Sequence, residues 1–202
     1  MKNGIFKILL ALAVVFLSTG LSSAVDLNVF ADVRFQDVDT SKTGDHDGFS
    51  LGQLDFWALE EIGEEGNLKS FMEFVVEHNG EGFVIDLERI WIKYDTGNDL
   101  TYRMGRMHTI LGRWNSRYHH GSHVQTTIDR PLFLDFEDGE AGVLPTHVVG
   151  VMADYQRQAG VGLLNFSAQF GNGSHFEAGA ELNPNNTGDI DDNKFIIGRV
   201  TL

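Results

Sequence analysis

Three histidines crowd one stretch of the chain: His119, His120 and His123. Neutral imidazole is a common metal ligand, so these residues raise metal chemistry first. His108 and His147 flank the same stretch. Adjacent histidines in a loop do not converge readily on one ion, and no supporting carboxylate pattern accompanies them. They are read as polar loop residues, with no metal assigned and His119, His120 and His123 as weak candidates. Asp45, Asp47 and Gly48, and separately Asp189, Asp191 and Asp192, suggest calcium loops. Neither group has the full spacing or the closing glutamate, so both read as solvated acids. Ser116 and Ser122 lie near His119 and His123, but geometry, not sequence proximity, defines a hydrolytic unit. No nucleophile elbow, phosphate loop or zinc-protease helix occurs. Gly171-Asn172-Gly173 lacks the third glycine and the helix of a dinucleotide site. The expectation is that the chain is not an enzyme and uses no cofactor.

The elements around these residues alternate with period two, the signal of strands with one wet face. Leu27, Val29, Ala31, Val33 and Phe35 alternate with polar residues that include Asp32 and Arg34. Leu54, Phe56 and Ala58 oppose Asp55, while Met72, Phe74 and Val76 oppose Glu73 and Glu77. Ile90, Ile92 and Tyr94 oppose Arg89 and Lys93, and Tyr102 and Met104 oppose Arg103. Three further segments follow, near 149–155, 164–170 and 194–202, the last carrying Arg199 opposite Ile196 and Val200. About eight strands are therefore expected. The connections read long, short, long, short: 37–48 is long, 62–67 tight, 78–83 long, 95–98 tight, 108–145 very long, 156–160 tight and 171–193 long. Outer-membrane barrels sort their loops this way, with short turns inside and long loops outside.

The N-terminus fits that destination. Lys2 and Lys7 precede an apolar run from Ile8 to Leu17, and Ser22-Ser23-Ala24 places small residues where a signal peptidase reads. Residues 1–24 are expected to be a signal peptide and 25–202 one barrel domain. The apolar run is too short to cross ~30 Å of hydrocarbon comfortably. Removing residues 1–24 takes away two lysines and no acid, which moves the formal net charge from −14 to −16. That surface argues against a nucleic-acid partner. Cysteine is absent, so an exported chain uses no disulfide. The fold expected is an all-β, antiparallel transmembrane barrel in the outer membrane. Lipid leaves no partner for a backbone N–H or C=O, and a closed sheet satisfies them all. The lumen-lining residues would be Asp32, Arg34, Asp55, Glu73, Glu77, Arg89, Lys93, Arg103 and Arg199. Of the aromatics Trp57, Trp91, Tyr94, Tyr102 and Tyr155, those at strand ends would serve as interfacial girdles.

The long stretch from Arg103 to Pro145 is the third outside loop. Leu54-Asp55-Phe56-Trp57, Glu88-Arg89-Ile90-Trp91-Ile92-Lys93-Tyr94 and Tyr102-Arg103-Met104-Gly105-Arg106-Met107, in that order, resemble strands of the porin O and P type of outer-membrane porins. Gly112 to Gly121, with Gln125-Thr126-Thr127 and Arg130-Pro131, is similar to a porin-like subfamily. The resemblance implies passive uptake of small solutes through a water-filled barrel. It also implies a third loop folded inward as a constriction, lipid and lipopolysaccharide as surroundings, and a homotrimer. The constriction would be lined by Arg113, Arg117, His119, His120, Arg130, Asp135 and Glu137, and rings of charge at such a narrowing set ion preference. The acidic excess suggests a modest cation preference. An eight-strand barrel is filled by its own side chains, whereas porins of about sixteen strands leave a channel. The expectation is therefore a portion of a larger, roughly sixteen-strand barrel. A complete, poreless eight-strand structural or adhesive barrel is the alternative.

Overall fold

A computed structural model describes residues 25–38, 46–78, 81–118, 145–173, 175–176, 182–183, 188–189 and 192–202. The period-two segments all form strands. They are β1 (Asp26–Val38), β2 (His46–Ile62), β3 (Leu68–His78), β4 (Phe83–Asp95), β5 (Leu100–His108), β6 (His147–Ala159), β7 (Gly162–Asn172) and β10 (Lys194–Thr201). Two shorter strands, β8 (His175–Phe176) and β9 (Leu182–Asn183), pair only with each other. One six-residue helix, α1 (Gly112–Arg117), follows β5. The eight long strands form one antiparallel meander in the order β1-β2-β3-β4-β5-β6-β7-β10. The fold is all-β. The sheet is open, because β1 and β10 are its two edges and do not pair with each other.

The eight long strands run from 8 to 17 residues; a tilted strand needs about 9–11 to cross a bilayer. β2 begins earlier than the alternation suggested. Phe49 and Leu51 pair with Phe35 and Val33 beyond a bulge between Ala31 and Val33. Much of the expected loop 37–48 is therefore ladder. The expected long loop at 78–83 is also corrected: only residues 79–82 separate β3 from β4. Cross-strand pairing of Val76 with Ile85 and His78 with Phe83 carries both strands almost to the turn. Loop sorting therefore rests on 39–45, 109–146 and 173–193 at one end of the sheet, against 63–67, 96–99 and 160–161 at the other. The short turns brace one another. Asp95 N–H donates to Asn67 C=O at 2.7 Å and Gln156 N–H to Asp99 C=O at 2.8 Å.

A row of six residues runs across the sheet. Phe71 pairs with Trp91, Trp91 with Gly105, Gly105 with Gly150, Gly150 with Gly171, and Gly171 with Phe195. A Cβ on Gly105 would stand 2.1 Å from the Ile90 carbonyl oxygen, and one on Gly150 2.1 Å from that of Phe170. Gly105 also has φ +138, a backbone open to glycine. Glycines at facing positions let neighbouring strands curl together, the device by which sheets gain closure curvature. On the same side of the sheet, Met107, Ile110, Val148 and Met152 pack into the only buried apolar cluster among the described residues. Trp91, Phe195 and Ile197 lie against it.

Candidate functional site: the polar face and the seat of the long loop

The face that carries Arg89, Arg103 and Asp154 is the polar one. Its residues line a cavity of about 660 Å³ walled by β4 to β7 and β10 and bordered by α1. The wall holds four cations, Arg89, Lys93, Arg103 and Arg199, and three acids, Asp95, Asp99 and Asp154. Both signs therefore face one space, and the wall itself has no acidic excess.

The arginines are held, not loose. Arg89 grips Glu73 with two donors, Nη2 to Oε1 at 2.7 Å and Nε to Oε2, across the β3–β4 pair. Such bidentate pairs fix geometry as well as charge. The Arg89 guanidinium also lies 4.7 Å over the Phe71 ring. Phe71 stacks on Trp91 at 4.9 Å and 10°. Arg103 covers Trp91 at 4.6 Å. Two guanidiniums thus bracket an aromatic pair, an arrangement worth more as water is excluded. Asp154 accepts from the Ser167 hydroxyl at 2.5 Å.

The head of the long connection lies on this face. Ile110 N–H donates to Gln169 Oε1 at 2.8 Å, and Gln169 Nε2 donates to His108 C=O at 2.8 Å. Gln169 is 1% exposed. Arg199 Nη1 reaches across to the Ile110 carbonyl at 3.2 Å and the Ser116 hydroxyl at 3.0 Å. Asn115, buried in α1, donates to the Thr109 and Thr146 carbonyls at 3.1 and 2.8 Å. The two ends of the connection are further joined by Thr109 N–H to Thr146 C=O at 2.8 Å. Buried amide side chains that satisfy backbone groups substitute for a ladder where the chain leaves it.

The expected site residues divide accordingly. Arg89, Lys93, Arg103 and Arg199 come together on the cavity wall. Glu73 stands behind them as the Arg89 partner. Asp55 is buried on β2, Glu77 accepts from Gln53 Nε2 at 3.2 Å, and Asp32 accepts from Gln53 N–H at 2.8 Å beside the β1 bulge. These three lie apart from the cavity. Arg34 belongs to β1, but its side chain is outside the described residues. Arg113 and Arg117 are exposed on α1. His119, His120, His123, Arg130, Asp135 and Glu137 lie outside the described residues, as does the segment 1–24. Ser116 donates to the Gly112 carbonyl at 3.0 Å and accepts from Arg199. Asp189 receives the Lys194 ammonium and the Asp192 N–H.

Trp91, inside its strand and not at an end, sits in the aromatic–cation stack on the polar face. Gln169, Asn115 and the glycine row were not anticipated. The spacing of Gly105, Gly150 and Gly171 becomes a signal only once the register aligns them. Comparisons with protein-family models, with curated proteins and with solved structures return no match.

Proposed function

We propose that this chain forms the wall of an outer-membrane diffusion pore, of the kind the porin-like strand motifs imply, with no catalytic chemistry of its own. The observation that carries the reading is an inversion of polarity. Among the described residues, five apolar side chains are buried against twelve polar or charged ones. Alternate strand positions expose large apolar side chains from strand to strand, including Leu27, Phe49, Ile85, Met104, Val151 and Ile196. A soluble sheet buries such a face, since contiguous exposed apolar area of this kind marks a membrane or partner surface. Hydrocarbon suits it, and the wet face then lines a lumen. Tyr94, Tyr102 and Tyr155, exposed near the short turns, suit the interfacial belt on that side. No helix among the described residues is long and apolar enough to cross a membrane, which leaves crossing by strands untouched.

An open sheet cannot stand in lipid, because edge groups have no hydrogen-bond partner there. The proposal therefore includes further strands joining β1 to β10 in a barrel of about sixteen. The inward-seated head of the 109–146 connection supports this size, as it needs lumen to occupy. Small solutes would pass down their gradients, with outer-membrane lipid and lipopolysaccharide around the barrel and a homotrimer as the assembly. Four cations and three acids on the cavity wall make selectivity weak, so the preference for cations expected from the whole-chain charge is small. Planar-bilayer recording of the complete, closed barrel that contains this chain tests the reading. Discrete, ohmic steps are expected. A detergent-free, water-soluble, monodisperse chain with no conductance would remove the proposal.

A further inference from the structure

Where the alternation leaves the polar face, it produces a second cluster. His108 and His147 continue the register of Tyr102 and Met104 on β5 and of Val149 and Val151 on β6, on the side opposite Met107 and Val148. They face each other directly in the ladder. Their rings lie 4.9 Å apart. The third member is Glu88. It is the extra residue of the β4 bulge, since Glu73 pairs with Arg89 while Phe74 pairs with Leu87. Ile90 pairs with Arg106, so Glu88, two residues earlier, stands level with His108. Glu88 Oε2 is 3.0 Å from His147 Nε2, and the two side chains are 6% and 0% exposed. One ligand atom from each of Glu88, His108 and His147 falls within 4.8 Å of the others.

We propose that Glu88, His108 and His147 bind a single divalent transition-metal ion, with Zn²⁺ as the reference case. Bonds of ~2.1 Å at tetrahedral angles place ligand atoms about 3.4 Å apart. The Glu88–His147 pair, at 3.0 Å, is slightly closer than that spacing, and the His108 ligand atom lies within 4.8 Å of both, so small side-chain rotations complete the set. Two imidazoles and a carboxylate suit zinc and its neighbours, and are too few and too soft for calcium or magnesium. The ligands come from three adjacent strands, so the ladder itself sets their spacing. Arg106 lies beside the bulge, and its Nε donates to the Leu87 and Glu88 carbonyls at 2.8 and 3.0 Å. Its charge is thereby directed at the bulge backbone.

The placement also gives the ion a role. His108 is the last residue of β5 and His147 the first of β6, so together they are the two stems of the 109–146 connection. A metal clip across the stems of a long loop removes much of the loop's closure entropy. Glu88 ties that clip to β4. The ion would hold the stems at the outer end of the sheet while Gln169 and Arg199 seat the loop head on the polar face.

The test is Zn²⁺ titration of the full-length, metal-stripped chain against a chromophoric chelator near neutral pH. One equivalent per chain is expected. Affinity should fall at least about 100-fold in His147→Ala and in His108→Ala, and about 10-fold or more in Glu88→Gln. A variant with His119, His120 and His123 all replaced by alanine should retain the site. Co²⁺ should give a visible d–d band in the native chain and lose it in His147→Ala. Far-UV circular dichroism identifies variants that keep the sheet, and Glu88→Gln preserves side-chain volume if a histidine variant fails to fold. Absence of stoichiometric Zn²⁺ binding by the native chain overturns the proposal. So does binding that survives in the His108→Ala/His147→Ala double variant or is lost in the loop-histidine variant. None of these outcomes depends on conductance, so the site and the pore reading fail separately.

Discussion

The two faces of this sheet are made from the same strands and differ in almost every physical respect. One presents Leu27, Met104, Val151 and Ile196 to the exterior with no side chains of the described chain packed over them. Met104 is 68% and Ile196 77% exposed. The other holds Glu73, Gln169 and Arg103 in a connected set of ion pairs, cation–π contacts and amide bridges, beneath the head of a long connection. In a protein folded against water the first face would be covered and the second left wet. The proposed membrane reading gives the difference its meaning: the apolar face would meet hydrocarbon in place of a second layer of protein. Among the described residues, Ile110 and α1 pack on the polar side. Each face thus makes a prediction that the other does not.

The largest effect is expected on the apolar face. Met104→Arg should cost about 2–4 kcal/mol in lipid vesicles if Met104 meets hydrocarbon at mid-strand. A solvated surface position would change by roughly 0.5 kcal/mol or less. Reversible urea unfolding in vesicles measures it, and the small value would erase the contrast between the faces. Next comes the glycine row. Gly150→Ala introduces a Cβ 2.1 Å from the Phe170 carbonyl oxygen and should destabilise by roughly 1–3 kcal/mol through overpacking, read in the same assay. An unchanged midpoint would mean that the close approach of β6 and β7 is not needed for the curl.

Arg199→Gln should cost a similar amount at most, up to about 3 kcal/mol for lost charge-assisted hydrogen bonds to Ile110 and Ser116. Its clearer signature is faster proteolysis within 109–146 while the strands stay protected. Protection that is unchanged would detach the loop head from the polar face. The smallest effect is expected at the exposed Lys69–Glu61 pair. Lys69→Ala should shift stability by no more than about 0.2–1 kcal/mol, and less at high salt.

Much of the strand framework is legible in the residues because period-two alternation states both the strand and its faces. Leu54-Asp55-Phe56 or Leu164-Asn165-Phe166-Ser167 can hardly be placed otherwise. The alternation fails where register shifts. Glu88 reads as the start of a polar–apolar strand, yet the bulge between Glu73 and Phe74 makes it an extra residue and turns it toward His108. Bulges leave little trace in one chain's sequence, since they are properties of a pair. The same holds for Gly105, Gly150 and Gly171, which are far apart in sequence and adjacent only after pairing. Arg89, Lys93, Arg103 and Arg199 were identified from polarity alone. Phe71 and Trp91, which pack under Arg89 and Arg103, and Gln169, which holds the loop head, were not, because an aromatic or an amide has no sequence signal that marks such a role. α1 was missed for another reason: six residues without a capping side chain carry too little periodicity to detect.

The central claim is that alternate residues of each strand meet lipid and water. The chain contains no cysteine, so single cysteines can carry nitroxide labels without background. Labels placed in turn at residues 101 to 104 and 151 to 154, in the complete barrel reconstituted into vesicles, should report accessibility to oxygen and to a water-soluble nickel chelate in antiphase. Positions 102, 104, 151 and 153 should favour oxygen, and 101, 103, 152 and 154 the chelate. Equal chelate accessibility on both faces, with no period of two, would contradict the account.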